Sequence, residues 1–260
     1  MSRTTVVTGA ASGIGAATVA ALAARGDRVV GVDVRNAEVV ADLSTAAGRD
    51  ALVEQVPGLT NGRVDGVIAN AGVLGDDAGA IVRVNYFGAV ATLTGLRPLL
   101  ADSAAPRAAV TTSTALLSNF DDDLVALCLA GAEDDAVAAA DRGVHPVRAY
   151  ASTKRALARW LRLASVSPEW AGAGIALNAV APGVVRTPMT EELLADAATA
   201  DLLLTMVPMP LGGVASPAAI AALLAFLTSE DLAAVTGQVV FADGGGECTQ
   251  RGDDVWGQVG

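Results

Sequence analysis

The sequence predicts an α/β fold: a doubly wound (Rossmann-type) parallel sheet of about seven strands, with helices on both faces. Short runs rich in β-branched residues alternate with Ala- and Leu-rich stretches of helical periodicity. A glycine-rich turn joins the first such run directly to a helix. A chain of 260 residues, 52% of them hydrophobic, can bury one ample core. We therefore expect residues 1–260 to form a single domain.

The predicted strands are short and apolar, as strands buried on both faces are. They span residues 4–8, 28–33, 64–69, 108–112, 175–180 and 238–242, with a further short strand at 38–42. Helices are predicted at 15–24, 44–56, 149–164 and 217–227. The acidic stretch from Asp121 to Asp141 predicts a solvated helical insertion at about 119–147, with a loop at 143–146.

Composition excludes several classes of function. With 28 acidic and 17 basic residues the net charge is -11, which argues against nucleic-acid and membrane partners. Cys128 and Cys248 are too few for a disulfide framework or a metal cluster, so no metal is expected. The only histidine, His145, has no evident acidic partner and is interpreted as a loop residue. Without a secretory signal or an unbroken apolar span, the chain is expected to be soluble and cytoplasmic, with a small-molecule partner.

The glycine-rich turn, TGAASGIG from Thr8 to Gly15, opens directly into a helix. Glycines allow close approach to a pyrophosphate, and the helix N-terminus offers unpaired N–H groups, although a tight structural turn is the alternative. Asp33 ends the second predicted strand, where a carboxylate can accept from both ribose hydroxyls and repel a 2′-phosphate. This favours NAD over NADP, while Arg35 leaves dual use open. Asp33 could also be an ordinary acid at a strand end.

Lys154 is the only lysine of the chain, and it follows Tyr150 by four positions, so the two share one face of a helix. An ammonium beside a phenol is expected to lower the phenol pKa from about 10, which makes the tyrosine an acid or base near neutral pH. The alternative is an ordinary surface pair on an amphipathic helix.

Together these motifs resemble those of the short-chain dehydrogenase/reductase family over residues 4–245. The further matches are ANAG at 69–72 (the family's NNAG with Ala69 in first place), Asn85 in VNYFG, Ser113 after the fifth strand, NAVAPG at 178–183, Thr187 and DGG at 243–245. Within the family, residues 31–45, residues 84–89 and the insertion are most similar to bacterial 3α-hydroxysteroid dehydrogenase/carbonyl reductases.

The resemblance implies hydride transfer between a nicotinamide and a carbonyl carbon, with Tyr150 as the acid or base. Lys154 would also donate to the nicotinamide ribose. Ser113 would hydrogen-bond the substrate oxygen, with Thr114 as the alternative hydroxyl. Asn85 would hold a proton-relaying water, or else stabilise a helix kink.

The resemblance also implies an NAD site, with Asp42 and Leu43 at the adenine and Val185 and Thr187 at the carboxamide. Its residues would be Gly9, Ser12, Gly13, Ile14, Gly15, Asp33, Asp42, Leu43, Asn70, Ala71, Gly72, Tyr150, Lys154, Pro182, Gly183, Val185 and Thr187. Relatives carry a substrate lid at the position of residues 187–216, where Met and Leu side chains suit a bulky hydrophobic ligand. Plain helix packing is the alternative for that stretch.

The expected function is NAD(H)-dependent interconversion of a ketone and a secondary alcohol, on a hydroxysteroid or similar hydrophobic carbonyl compound. The alternatives are another ketone (sugar, polyol or acyl-chain) and a non-catalytic NAD-sensing protein. Two departures from the family pattern are a short spacing from Asn70 to Asn85 and a long one from Ser113 to Tyr150. Because the insertion adjoins the surface through which many relatives form tetramers, we expect a homodimer formed elsewhere.

Overall fold

The computed structural model describes residues 2–256 and contains one seven-stranded sheet in which every strand pairing is parallel. The strand order is β3-β2-β1-β4-β5-β6-β7. The strands are β1 Thr4–Thr8, β2 Arg28–Asp33, β3 Val39–Val40, β4 Gly66–Ala69, β5 Arg107–Thr111, β6 Ala176–Pro182 and β7 Val239–Ala242. The predicted fold class is confirmed. The order reverses between β1 and β4, and ligands of such sheets bind beyond the carboxyl ends of the strands at that point.

The α-helices are α1 Gly13–Ala24, α2 Ala46–Thr60, α3 Ala78–Val82, α4 Ala89–Leu96, α5 Asp122–Leu129, α6 Glu133–Asp141, α7 Pro146–Ala164, α8 Glu191–Ala195, α9 Ala197–Met206, α10 Pro217–Leu227 and α11 Gly246–Arg251. A π-helical segment, Arg83–Gly88, connects α3 to α4. Short 3₁₀ turns lie at Arg97–Leu100, Thr114–Leu117 and Ala171–Ala173.

Successive residues of the central strands face two different cores, because side chains alternate along a strand. Val6 packs in the larger core with α2, α4 and α7, whereas Val7 packs in the smaller core with α1 and α10. The pairs Val67 and Ile68, and Ala108 and Ala109, alternate in the same way. This explains why these strands have apolar residues at consecutive positions rather than at alternate ones.

Some predicted boundaries were wrong for local reasons. Helix α7 begins at Pro146 rather than Ala149, because proline suits the first helical position and His145 caps the helix by accepting from the Val147 N–H at 3.3 Å. Helix α2 passes through Pro57 and ends at Thr60. Strand β6 extends to Pro182, where it still pairs with β7.

The acidic insertion forms α5 and α6 and is not simply solvated. All of its acidic residues except Asp141 lie at the N-cap or in the first turn of a helix, where negative charge suits the helix dipole. Its apolar residues join the larger core, among them the fully buried Leu124, Cys128 and Ala136. An Arg49–Glu133 ion pair with an N–O distance of 2.7 Å links α2 to α6. The insertion is therefore an integral part of the domain.

Candidate active site

A cleft of about 900 Å³ opens at the carboxyl edge of the sheet, at the reversal of strand order. Its wall contains Ser113, Tyr150, Lys154 and most of the residues predicted to hold a cofactor. Three predicted residues are not part of the wall: Gly13, Gly15 and Asn85. The structure thus brings the two groups of predicted residues, catalytic and cofactor-binding, to one cavity.

The glycine-rich turn has the backbone shape that its sequence requires. Gly9 has a φ of +70°, and a Cβ on Gly15 would stand 1.9 Å from the carbonyl oxygen of Gly9. The Ser12 side chain makes no cap to α1, and the first turn of that helix has no acidic residue. The N–H groups at the start of α1 are therefore available to an anion such as a pyrophosphate. These features fit a dinucleotide.

Asp33 lies at the end of β2 beside this turn and lines the cleft. Its carboxylate accepts from the Ala11 N–H at 3.0 Å and from the Val34 N–H at 2.8 Å. These two bonds fix the carboxylate at the mouth of the turn, and each oxygen keeps further acceptor capacity. Asp42 and Leu43 lie further along the same wall, the former exposed and the latter buried.

Ser113 is the one hydroxyl of its Thr-Thr-Ser-Thr run that is free to serve the cleft. Thr112 donates to the carbonyl of Val180 at 2.9 Å, and Thr114 donates to the carbonyl of Pro182 at 3.2 Å, so both hydroxyls are directed to β6. The Ser113 Oγ accepts from the Ala115 N–H at 3.2 Å, and the Ser113 side chain acts to lower the pKa of Tyr150. With an N–H already on the oxygen, the Ser113 proton can be donated into the cleft.

Tyr150 and Lys154 occupy one face of α7, one turn apart. The Lys154 Nζ donates to the carbonyl of Thr111 at 3.0 Å. Burial raises the pKa of Tyr150, and the Ser113 side chain offsets only part of this rise. Burial also lowers the pKa of Lys154 to about 8. The expected lowering of the tyrosine pKa is therefore wrong for the protein without a cofactor, because desolvation of the phenolate outweighs its favourable contacts.

Asn85 lies in the π-helical segment and is fully buried. Its side chain accepts from the Val73 N–H at 2.8 Å and donates to the Val73 carbonyl at 2.9 Å. The side chain thus fixes the loop after β4, next to Gly72 in the cleft wall. A role for Asn85 in holding a water stays a prediction.

Three threonines around the cleft escaped the sequence analysis. The Thr8 Oγ1 accepts from the N–H groups of Asn70 and Ala71, both at 3.0 Å. Thr111 carries the acceptor of Lys154. Thr190 accepts from the N–H of Thr187 at 3.1 Å. Of the three, only Thr8 could have been identified from a sequence pattern, because it is the first residue of the glycine-rich motif.

Among the described residues, no group of three or more His, Cys, Asp or Glu side chains is placed to hold a metal ion. Within residues 2–256, no helix has both the length and the apolarity that crossing a bilayer requires.

Comparison with known proteins agrees with the geometry of the cleft. A family model described as short chain dehydrogenase matches residues 3–121, and one described as enoyl-(acyl carrier protein) reductase matches residues 136–247. A 3-alpha-hydroxysteroid dehydrogenase/carbonyl reductase of Comamonas testosteroni is 38% identical, over 95% of this chain and 97% of the relative. The chain belongs to the short-chain dehydrogenase/reductase family. Like other short-chain dehydrogenases, it acts on hydroxyl or carbonyl groups with a nicotinamide cofactor.

Two further proteins are similar to this chain over nearly its whole length. The crystal structure of the 3-alpha-hydroxysteroid dehydrogenase from Pseudomonas sp. B-0831, complexed with NADH, has a TM-score of 0.90 and 36% sequence identity. The alignment covers 96% of this chain and 99% of that one. A cis-4-hydroxycyclohexanecarboxylate dehydrogenase of Sinomonas cyclohexanicum is 32% identical, over 94% of this chain and 96% of the relative.

Proposed function

We propose that the protein is an NAD(H)-dependent oxidoreductase that interconverts a ketone and a secondary alcohol on a hydroxysteroid or a similar hydrophobic alicyclic compound. The observation that carries the proposal is that the Ser113 and Tyr150 side chains line the same cleft as the Asp33 carboxylate. Ser113 and Tyr150 would act on the oxygen of the substrate carbonyl group. The Asp33 carboxylate would determine whether NAD or NADP binds.

The cofactor site would use the residues that line the cleft. The N–H groups at the start of α1 would hold the pyrophosphate, Asp33 the adenosine ribose, and Lys154 the nicotinamide ribose. The remaining wall would be formed by Asn70, Ala71, Gly72, Pro182, Gly183, Val185 and Thr187. When bound, the nicotinamide supplies or accepts the hydride. Because Asp33 would repel a 2′-phosphate, NAD is the expected cofactor.

The side chains of the protein would transfer the proton to or from the substrate oxygen and stabilise the negative charge that develops on it. Ser113 keeps an O–H that can be donated to the substrate oxygen as negative charge builds there. In reduction, the Tyr150 hydroxyl gives its proton to that oxygen, and in oxidation its phenolate removes it. Lys154 places a positive charge behind the phenol when protonated, and it stabilises the phenolate.

The substrate class follows from the relatives and from the segment that covers the cleft. The relatives from Comamonas and Sinomonas are named for a hydroxysteroid and a hydroxycyclohexane acid, both alicyclic alcohols. Pro188 and Met189 line the cleft, and α8 and α9 have no buried residue. Leu202 and Met206 of α9 are both more than 60% exposed, so this helix has apolar surface available for a bulky ligand. We propose residues 187–216 as a lid over the substrate.

A panel of ketones tests the proposal through consumption of NADH and, separately, of NADPH. The panel contains a 3-ketosteroid, a substituted cyclohexanone, a quinone, a keto sugar and a 3-oxoacyl thioester. We expect the highest kcat/KM with the ketosteroid or cyclohexanone and with NADH. Preference for the keto sugar or the thioester would contradict the substrate class, and preference for NADPH would contradict the cofactor.

A further inference from the structure

Asn70 lies between the phosphate-binding turn and the end of β5, and its amide has one allowed orientation. Its Nδ2 donates to the Thr8 carbonyl at 3.2 Å, and its Oδ1 accepts from the Thr111 hydroxyl at 3.0 Å. A carbonyl can only accept, so the amide nitrogen must face Thr8. The amide oxygen then faces Thr111, whose hydroxyl must be the donor.

The Asn70 amide also packs against the glycine-rich turn. Its Nδ2 lies 3.0 Å from the position that a Cβ would take on Gly9, and 2.8 Å from the corresponding position on Gly15. The amide thus fills the space that these two glycines leave open. A change in its orientation would be transmitted directly to the turn.

Thr111 has a second contact in the cleft through its backbone. Its carbonyl accepts the hydrogen bond of Lys154 Nζ at 3.0 Å, and the residue itself is only 8% exposed. Thr111, at the end of β5, therefore contacts both Asn70, which packs against the phosphate-binding turn, and Lys154. Ala69, which stands in the first position of the NNAG-like motif, has no polar side chain to share this task.

We propose that Thr111 is a positioning residue of the cofactor site: its hydroxyl holds the Asn70 amide under the phosphate-binding turn, while its carbonyl holds Lys154. This inference rests on the proposed NAD(H) site. The hydroxyl acts on the dinucleotide through Asn70 and the turn, without contact to the substrate. Its loss should weaken cofactor binding more than it slows the chemical step.

The test compares Thr111→Val, which removes the hydroxyl at constant shape, with Thr111→Ser, which retains it. Binding of NADH and of ADP-ribose is measured by calorimetry. ADP-ribose lacks the nicotinamide, so it reports on the turn without the catalytic end of the cleft. We expect T111V to bind both ligands about tenfold more weakly, because the partly buried Asn70 amide oxygen loses its donor. T111S should bind both within about twofold of the wild type.

Thr112→Val is the matched control, since the buried Thr112 hydroxyl donates to Val180 of β6 and not to Asn70. It should lose some stability and retain ligand affinity. Equal weakening in T111V and T112V, or unchanged binding in T111V, would overturn the inference. If T111V does not fold, Thr111→Cys, a poor hydrogen-bond donor of similar size, takes its place with the same expectation. A wild-type protein that bound neither ligand would overturn the NAD(H) site itself, whereas failure of the variants alone would overturn only the role of Thr111.

Discussion

The Lys154 Nζ lies 5.5 Å from the centre of the Tyr150 ring. Burial acts on the two groups in opposite directions: it raises the pKa of the phenol and lowers that of the amine to about 8. Both shifts favour the neutral forms, as expected for groups removed from water. At pH 7 the phenol is therefore neutral, whereas most of the amine, with a pKa of about 8, still carries its proton.

Replacing Lys154 by methionine should raise the free energy of unfolding at pH 7 by on the order of 1–3 kcal/mol, because it removes a buried ammonium. The lysine pKa is about 8 in the folded protein, against an ordinary value of 10.5. The unfolded chain thus binds more protons between these values, and the wild type gains stability as pH rises from about 8 to 10.5. The advantage of K154M should shrink over that range. Thermal melts of both proteins across this pH range measure the difference in stability, with Arg159→Met, at an exposed position, as the control. A difference that does not change with pH would contradict the prediction.

Tyr150→Phe should reduce kcat for ketone reduction by about 1000-fold, the scale of a lost general acid, while NADH still binds. The chain has only two tyrosines, so Tyr86→Phe provides a matched control. Tyr86 is buried and packs edge-on against Phe87, outside the cleft wall. Steady-state kinetics and NADH titration distinguish the two. Turnover that survives in Y150F would show that another group transfers the proton.

Ser113→Ala should lower kcat by about 100-fold, because the substrate oxygen loses its hydrogen-bond donor in the transition state. Thr114→Val should retain most of the turnover and lose some stability, since the Thr114 hydroxyl donates to Pro182. The measurement is kcat for each variant beside its melting temperature. The reverse ranking of the two variants would assign the role to Thr114.

Asp33→Ala should raise the ratio of kcat/KM with NADPH to that with NADH by about tenfold or more, because a 2′-phosphate would no longer meet a carboxylate. Arg35, exposed on the same wall, is the cation that would then pair with the phosphate. Asp33→Ala combined with Arg35→Ala should lose most of the gain. An unchanged ratio in D33A would show that the carboxylate does not select the cofactor.

Light scattering on the purified protein should give the mass of a dimer. Helix α5 packs against α7, so the insertion covers part of the helix through which the family resemblance would lead us to expect a tetramer. A symmetric tetramer would contradict this expectation.

The strands and most of the long helices could be predicted because their sequence pattern and their environment agree. Strands β1 and β2 and helix α10 have the predicted bounds, and each has a clear start or stop signal: a glycine turn, an acid or a proline. The π-helical segment around Asn85 could not be predicted, since it depends on a loop that Asn85 itself fixes. The sequence also gave no sign that Leu124 and Ala136 of the acidic stretch would enter the main core.

The residues of the site were predictable where a motif fixes their type and spacing. The directions of their hydrogen bonds were not. Whether Ser113 or Thr114 faces the cleft depends on which carbonyls of β6 lie opposite, and the tyrosine pKa depends on burial. Thr111 was missed because its contacts join β5 to β4 and α7, which are far apart in the sequence.

The packing of α6 against α3 links two length changes that are distant in the chain. The short connection from Asn70 to Asn85 leaves α3 only five residues long, and Asp141 of α6 lies against Gly79 of that helix. The shortened and the lengthened segments therefore form one structural module. A chimera with a relative would have to exchange both segments together. If only one were exchanged, α3 or α6 would either lack its packing partner or overlap with the helix that replaces it.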